Sequence, residues 1–207
     1  MIELIERDVA AIKTQDPRAP VSERQEGRPF RRMDSPLYRI ALGRVAETTQ
    51  PRRYLEIGVK EGGSLAVVLA ASENLDRLVL CDFFTINEKK ARHRDVAQAA
   101  IEESGFTGDI RWLDGSSTVT VPTLEEMFDL VGVDGSHRRS ACEADLRNVE
   151  PLVAPGGHIV VDDLTLFEDR RLELVFDAFV DEHSDKWEVA YKNTTHWPGV
   201  GVLKRRS

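Results

Sequence analysis

Short apolar runs alternate with helical stretches of ten to twenty residues from about residue 36 onward. Parallel strands need a long crossover, usually a helix, so this alternation predicts a doubly wound α/β fold with a mostly parallel sheet. Turn residues bound each run. The predicted strands are residues 53–57, 77–82, 109–113, 128–134 and 158–162.

The C-terminal part of the chain adds two more strands. Residues 187–192 and 199–204 have strand character and are joined through a short segment that contains Trp197 and Pro198. The apolar residues within 146–153 repeat at helical spacing and predict one buried face of a helix, which ends at the turn at 154–157. The expected fold is therefore Rossmann-like: a doubly wound, mostly parallel seven-stranded sheet with a C-terminal antiparallel strand pair.

The first 35 residues differ from the rest. Ile2, Ile5, Val9 and Ile12 are three or four residues apart, which predicts a short amphipathic helix, and residues 15–35 are rich in Pro, Arg, Glu and Gln. We interpret 1–35 as a helix with an irregular arm, serving as a lid, as a dimer contact or as a simple cover for the core. Residues 36–207 form the single folded domain.

Charge and composition exclude some classes of partner. The chain has 36 acidic and 28 basic residues and a net charge of -8, which would repel a phosphate backbone or an anionic membrane. No apolar run approaches the roughly 20 residues of a membrane span. We expect a cytoplasmic protein that acts on a small molecule, binds neither nucleic acid nor membrane, and forms a homodimer if its N-terminal helix is a contact.

A glycine-rich turn follows the first strand and leads into an apolar helix. Glu56 stands two residues before Gly58, and Gly62 and Ser64 open the helix. Glycines allow a sharp turn and close approach of a ligand, and a helix N-terminus favours a carboxylate. Asp82 ends the second strand, where its oxygens can accept hydrogen bonds from ribose hydroxyls.

This spacing resembles the first motif of class I methyltransferases more than the G-x-G-x-x-G of dinucleotide-binding proteins. The resemblance implies that S-adenosylmethionine binds here, with its ammonium group near Glu56, its methionine part against Gly58, Gly62 and Ser64, and its ribose on Asp82. It places an adenine contact at Ser116, or at Asp114 if the alignment shifts by one residue. Lys60 stands where the family most often has a middle glycine.

The fourth and fifth strands both end in acids. Asp134 begins the sequence Asp-Gly-Ser-His, which ends at His137, and a Pro-Gly-Gly sequence precedes the strand that ends in Asp162 and Asp163. These features resemble the subgroup that contains macrocin O-methyltransferase and the cephalosporin hydroxylase-like proteins, over roughly residues 50–165. Neighbouring strands lie about 4.8 Å apart, so these acids can converge on one cation. We predict that Asp134, which also borders the cofactor, binds Mg²⁺ or Mn²⁺ together with Asp162 and Asp163.

Methyl transfer requires removal of a proton from the nucleophile, and His137 is the candidate general base. The leading hypothesis is a cation-dependent O-methyltransferase that acts on a sugar or a secondary metabolite. Three alternatives remain open: a methyltransferase without a metal, a non-catalytic cofactor-binding protein and a nicotinamide-dependent oxidoreductase. The glycine spacing disfavours the last one.

Overall fold

A computed structural model describes residues 1–10, 36–166 and 171–207. The predicted arm at 15–35 and Ile12 lie outside the described residues. The helices are α1 (Ile2–Ala10), α2 (Pro36–Thr49), α3 (Gly63–Ala71), α4 (Glu88–Glu103), α5 (Ser117–Thr120), α6 (Arg139–Val149) and α7 (Leu172–Glu182). The strands are β1 (Arg53–Ile57), β2 (Arg77–Asp82), β3 (Asp109–Asp114), β4 (Phe128–Val133), β5 (Val153–Asp162), β6 (Trp187–Asn193) and β7 (Val200–Arg205).

The strands form one seven-stranded sheet in the order β3-β2-β1-β4-β5-β7-β6. The first five strands in this order pair in parallel, whereas β7 is antiparallel to both β5 and β6. The predicted fold is confirmed. β2 and β3 lie on one side of β1, whereas β4 and β5 lie on its other side. The crevice at such a reversal of strand order is where ligands bind in open α/β sheets.

The two faces of the sheet bury different cores. One face packs on α6 and α7, and its hydrophobic core includes Phe128 and Phe176. The other packs on α2 and α3, and there α1 covers the core through Ile5 and Val9, which are fully or nearly buried. No helix within the described parts of the chain is long and apolar enough to cross a membrane.

Strand β5 corrects one prediction. It begins at Val153 rather than at residue 158, so the segment 154–157 belongs to the strand and is not a separate turn. Val153 pairs with Phe128, but the next pair joins His158 to Leu130. Because β5 has more residues than β4 between these pairs, the Pro-Gly-Gly segment forms an irregularity within the strand.

Candidate active site

The loops after β1, β2, β4 and β5 meet at the carboxyl edge of the sheet and carry the predicted site residues. The glycine turn comes first. Gly58 has φ +93° and Gly62, which caps α3, has φ +75°, values that favour glycine. A Cβ atom on Gly58 would overlap the carbonyl oxygen of Asp134. The glycine turn is thus packed directly against the end of β4.

Glu56 lies beneath this turn and is fully buried. The Ser64 hydroxyl donates a hydrogen bond to its Oε1, whereas Oε2 has no hydrogen-bond partner among the described residues. Burial raises the pKa of Glu56 to about 8, and the nearby Ser64 and Tyr54 hydroxyls and the Arg39 charge partly offset this rise. A buried carboxylate with an unused oxygen suits a cationic ligand.

Asp82 is held by backbone groups of two loops. Its Oδ2 accepts a hydrogen bond of 2.8 Å from the Lys60 amide, and its Oδ1 accepts one of 2.6 Å from the Phe83 amide. Each carboxylate oxygen has a second lone pair, so acceptance from ribose hydroxyls remains feasible. Lys60, the departure from the family pattern, adopts φ +49° and still supplies its amide to this contact.

The two candidates for the adenine contact lie close together after β3. Asp114 is exposed and accepts hydrogen bonds from the Thr85 amide and hydroxyl, which hold its pKa below the ordinary range. The Ser116 hydroxyl lies 2.8 Å from the hydroxyl of Thr118. Asp114 therefore already has a protein partner on each carboxylate oxygen.

One chemical cluster joins the ends of β4 and β5. Ligand atoms of Asp134, His137 and Asp163 all lie within 4.8 Å of one another. The His137 Nδ1 is 2.8 Å from Asp163 Oδ2. Burial raises the pKa of Asp134 well above its ordinary value, and the negative charges of Asp163 and Glu56 add to this effect. Such a group of crowded acids favours a cation nearby.

Asp162 lies outside this group of ligand atoms. It ends β5 opposite Val200 and is buried on the face that packs on α2, where its charge acts on Tyr38. Successive strand residues face opposite sides of the sheet. Asp163 follows the strand with φ +60°, and its carboxylate reaches His137 instead.

Asp145 is a further buried acid of the region. It lies on α6 and is 1% exposed, and a Cβ atom on Gly135 in the loop after β4 would lie 3.1 Å from its Oδ2. Burial raises its pKa to about 6, and a hydrogen bond from Ser117 partly offsets the rise. This position agrees with a structural partner for the loop rather than with a group that reaches a ligand.

Arg39 is a residue near the site that sequence reasoning missed. A Cβ atom on Gly63 would lie 2.8 Å from Cζ of Arg39 and would overlap its Nη2. Its charge also lowers the pKa of Glu56. No spacing rule links a residue of α2 to a turn more than twenty positions later, so only the packing of α2 on α3 reveals it.

A cavity lies between α1 and the turn that joins β6 to β7. Its volume is about 310 Å³, and it is lined by Glu6, Val9, Ala10, Tyr191, Lys192, Asn193, Thr194, Thr195 and His196. Asn193 Oδ1 accepts hydrogen bonds from the amides of Thr195 and His196, which fixes this turn. In the sheet register Asn193 is opposite Val200, and Val200 is opposite Asp162, so the cavity lies about 10 Å from the end of β5.

Comparison with known proteins agrees with this geometry. The profile of the family described as methyltransferase domain matches residues 55–164, which is more than half of the chain. Among curated proteins, none matches this sequence.

Several solved structures are similar in fold. The O-methyltransferase TomG from Streptomyces achromogenes, involved in tomaymycin synthesis and solved with S-adenosylmethionine, is 20% identical with a TM-score of 0.65, over 84% of this chain and 81% of that one. The O-methyltransferase from Bacillus cereus, solved with S-adenosylhomocysteine, is 16% identical with a TM-score of 0.64, over 99% and 89%. The S-adenosylhomocysteine-bound Podospora anserina methyltransferase PaMTH1 is 18% identical with a TM-score of 0.63, over 85% and 81%.

The sheet order and the glycine turn at its switch point define the fold of the class I S-adenosylmethionine-dependent methyltransferases. The chain belongs to the methyltransferase-domain family. The predicted enzyme class is confirmed. The assignment of individual site residues stays a prediction, to which the geometry adds the pairing of His137 with Asp163.

Proposed function

We propose that this protein is an S-adenosylmethionine-dependent O-methyltransferase that uses a divalent cation and acts on a hydroxyl of a small molecule. One observation carries the proposal: the glycine turn at Gly58 abuts Asp134, so the cofactor turn and the Asp134–His137–Asp163 cluster adjoin. A methyl donor on the turn and an acceptor on the cluster would therefore be neighbours.

The residues of the glycine turn fit this cofactor. S-adenosylmethionine supplies an electrophilic methyl group on a sulfonium. Glu56 offers the ammonium group a buried oxygen that has no hydrogen-bond partner in the described part of the chain. Gly58, Gly62 and Ser64 would line the methionine part, and Asp82 would accept hydrogen bonds from the ribose. Asp134 borders the same ligand, and Ser116 is the proposed adenine contact.

His137 is suited to move the proton. Its Nδ1 is paired with Asp163, which fixes the ring and assigns proton acceptance to Nε2. With S-adenosylmethionine as methyl donor, His137 would take the proton of the acceptor oxygen as that oxygen bonds to the methyl carbon, and the breaking carbon–sulfur bond would leave S-adenosylhomocysteine.

The donor set of the cluster fits a hard divalent cation such as Mg²⁺ or Mn²⁺. Asp134 and Asp163 are the proposed ligands, and Asp162 stays the sequence-based candidate for a further position. A cation bound there would stabilise the negative charge that develops on the acceptor oxygen. A bound cation would also relieve the electrostatic repulsion between Asp134 and Asp163, which supports this assignment.

The cavity beside α1 supports a hydroxylated acceptor. Its lining offers amide, hydroxyl and imidazole groups from the turn between β6 and β7. These groups match the hydroxyl groups of a sugar or of a glycosylated or phenolic metabolite. Two of the similar structures described above are O-methyltransferases, which supports transfer to oxygen.

The test measures transfer of labelled methyl from S-adenosylmethionine to a panel of catechols, phenols and glycosides, with Mg²⁺, Mn²⁺ or EDTA. We expect transfer that EDTA abolishes and excess Mn²⁺ restores. The His137→Ala variant should lower kcat about 10²- to 10⁴-fold. The matched control is His183→Gln, an imidazole removed at the end of α7 far from the site, which should leave kcat unchanged.

The pairing of Asp163 with His137 also supports a second function, a methyltransferase without a metal. A histidine oriented by a carboxylate can act as a base without a metal ion. Transfer that is insensitive to EDTA would support it. Cofactor binding without transfer to any acceptor would instead support the non-catalytic alternative.

The wider organisation is also a proposal. We retain residues 1–35 as a helix and arm that form a lid or a dimer contact, and 36–207 as the catalytic domain. The packing of Ile5 and Val9 against α2 agrees equally with a cover for the core. A homodimer, a cytoplasmic location and the absence of nucleic-acid binding rest on the sequence.

A further inference from the structure

The contact between α2 and α3 places a guanidinium at the start of α3. A Cβ atom on Gly43 would lie 2.7 Å from Val67 Cγ1, and one helical turn earlier on both helices Arg39 lies against Gly63. Both contacts advance by one turn, so α2 and α3 run in the same direction here. The packing thus fixes Arg39 beside the first turn of α3.

This position combines three features that favour an anion. The first amides of a helix lack intrahelical partners, and the cap residue of α3 is Gly62, which has no side chain to accept a hydrogen bond from them. The helix dipole adds partial positive charge at the same end. Arg39 adds a full positive charge with a planar fork that matches a carboxylate.

A buried acidic side chain lies within electrostatic reach of Arg39. Glu56 is fully buried, and its Oε2 has no hydrogen-bond partner among the described residues. The charge of Arg39 acts on Glu56, and Ser64 in the first turn of α3 hydrogen-bonds to it. A guanidinium and a carboxyl group that ionises when an ammonium group binds therefore lie near the same small region, as the two charges of an α-amino acid would require.

We propose that Arg39 binds the carboxylate of the amino-acid end of the cofactor, while Glu56 binds its ammonium group. The proposal rests on the proposed function, because it needs S-adenosylmethionine in this turn. It makes Arg39 a specificity-determining residue: the site distinguishes the complete cofactor from analogues that lack the carboxylate.

The experiment is isothermal titration of the full chain with three ligands: S-adenosylhomocysteine, decarboxylated S-adenosylmethionine and 5′-methylthioadenosine. The Arg39→Gln variant should bind S-adenosylhomocysteine about 10- to 100-fold more weakly than the wild type. Its affinity for the two ligands without a carboxylate should be unchanged. Arg39→Lys, which keeps the charge but loses the fork, should give an intermediate loss for the first ligand alone.

The matched control is Arg52→Gln, which removes an exposed arginine paired with Asp76 beside the opposite end of β1. It should change no affinity. An equal loss for all three ligands would mean that Arg39 only supports the fold and would overturn the proposal, as would no loss for any. Failure of the wild type to bind all three would overturn the proposed function as well.

Discussion

The cofactor half and the chemical half of the site are built in different ways. In the cofactor half, Glu56 and Asp82 are separate acids, and each is held by hydroxyl or amide donors of the adjoining loops. In the chemical half, Asp134 and Asp163 come from different strands and lie together with one histidine. The first half is organised by local turns, and the second by assembly of distant segments.

This difference predicts which half of the site keeps its shape when a ligand-binding side chain is substituted. Local turns keep their shape when a ligand group is altered, whereas a cluster of like charges depends on what neutralises it. Gly58 joins the halves, since it belongs to the glycine turn and packs on Asp134. Changes at this junction should affect both halves, and changes elsewhere only one.

The largest effect is expected for Gly58→Ala. The new Cβ would overlap the Asp134 carbonyl at a position with φ +93°, so the free energy of unfolding should fall by about 3 kcal/mol or more. The control is Gly105→Ala, where φ is +73° but no atom lies within 4 Å, and the cost should be about 1 kcal/mol. Urea unfolding of both variants measures this, and equal losses would contradict the described junction.

Next in size is the effect of Asp163→Asn on metal binding. Asparagine tolerates the left-handed backbone at this position but removes a charged ligand. The affinity for Mn²⁺ should fall about 30-fold or more, which is the size of loss seen when groups around a metal site are changed. The affinity for S-adenosylhomocysteine should stay within about twofold of the wild-type value. Titration with each ligand measures both quantities. Asp185→Asn, on an exposed acid, is the control, and a parallel loss of both affinities in Asp163→Asn would mean that the halves are not separable.

A smaller effect concerns the protonation of Glu56. Its pKa in the folded protein is about 8, against an ordinary value of 4.5, so the folded state binds the extra proton between these values. The resulting stabilisation is present below pH 4.5 and is lost as the pH rises through about 8. Binding of the ammonium group should ionise Glu56 and release close to one proton at about pH 7.

Titration in two buffers of different ionisation enthalpy measures that proton release. The Glu56→Gln variant should release none at this position. Equal release from the wild type and the variant would show that the proton comes from another group.

The smallest effect separates the two adenine candidates. Ser116→Ala should weaken S-adenosylhomocysteine binding about threefold, the loss of one neutral hydrogen bond. Asp114→Asn should change it less than about twofold, because both Asp114 oxygens are already engaged by Thr85. The reverse order of effects would assign the contact to Asp114.

The regular secondary-structure elements were the part of the fold that the sequence predicted best. Strands β1 and β2 begin and end at the predicted residues, since buried parallel strands bounded by turns have a strong pattern. The start of β5 was wrong by five residues, because a Pro-Gly-Gly sequence is typical of a turn and here forms an irregularity within a strand.

The site could be predicted in part. The spacing around Glu56 and Gly58 located the turn, and the acids after β4 and β5 located the cluster. The sequence did not indicate that Asp162 faces α2 while Asp163 reaches His137, because that depends on one backbone angle after the strand. Arg39 depends on helix packing, which no local pattern encodes.

The proposed function depends on binding of S-adenosylmethionine at the glycine turn, and isothermal titration measures that binding. The protein is titrated with S-adenosylmethionine and S-adenosylhomocysteine, with and without Mg²⁺, alongside Asp82→Ala, whose folding is checked by circular dichroism. We expect a Kd in about the micromolar range and an affinity about 30-fold or more lower in the folded variant. Binding of neither ligand, or equal binding by Asp82→Ala, would contradict binding at this turn.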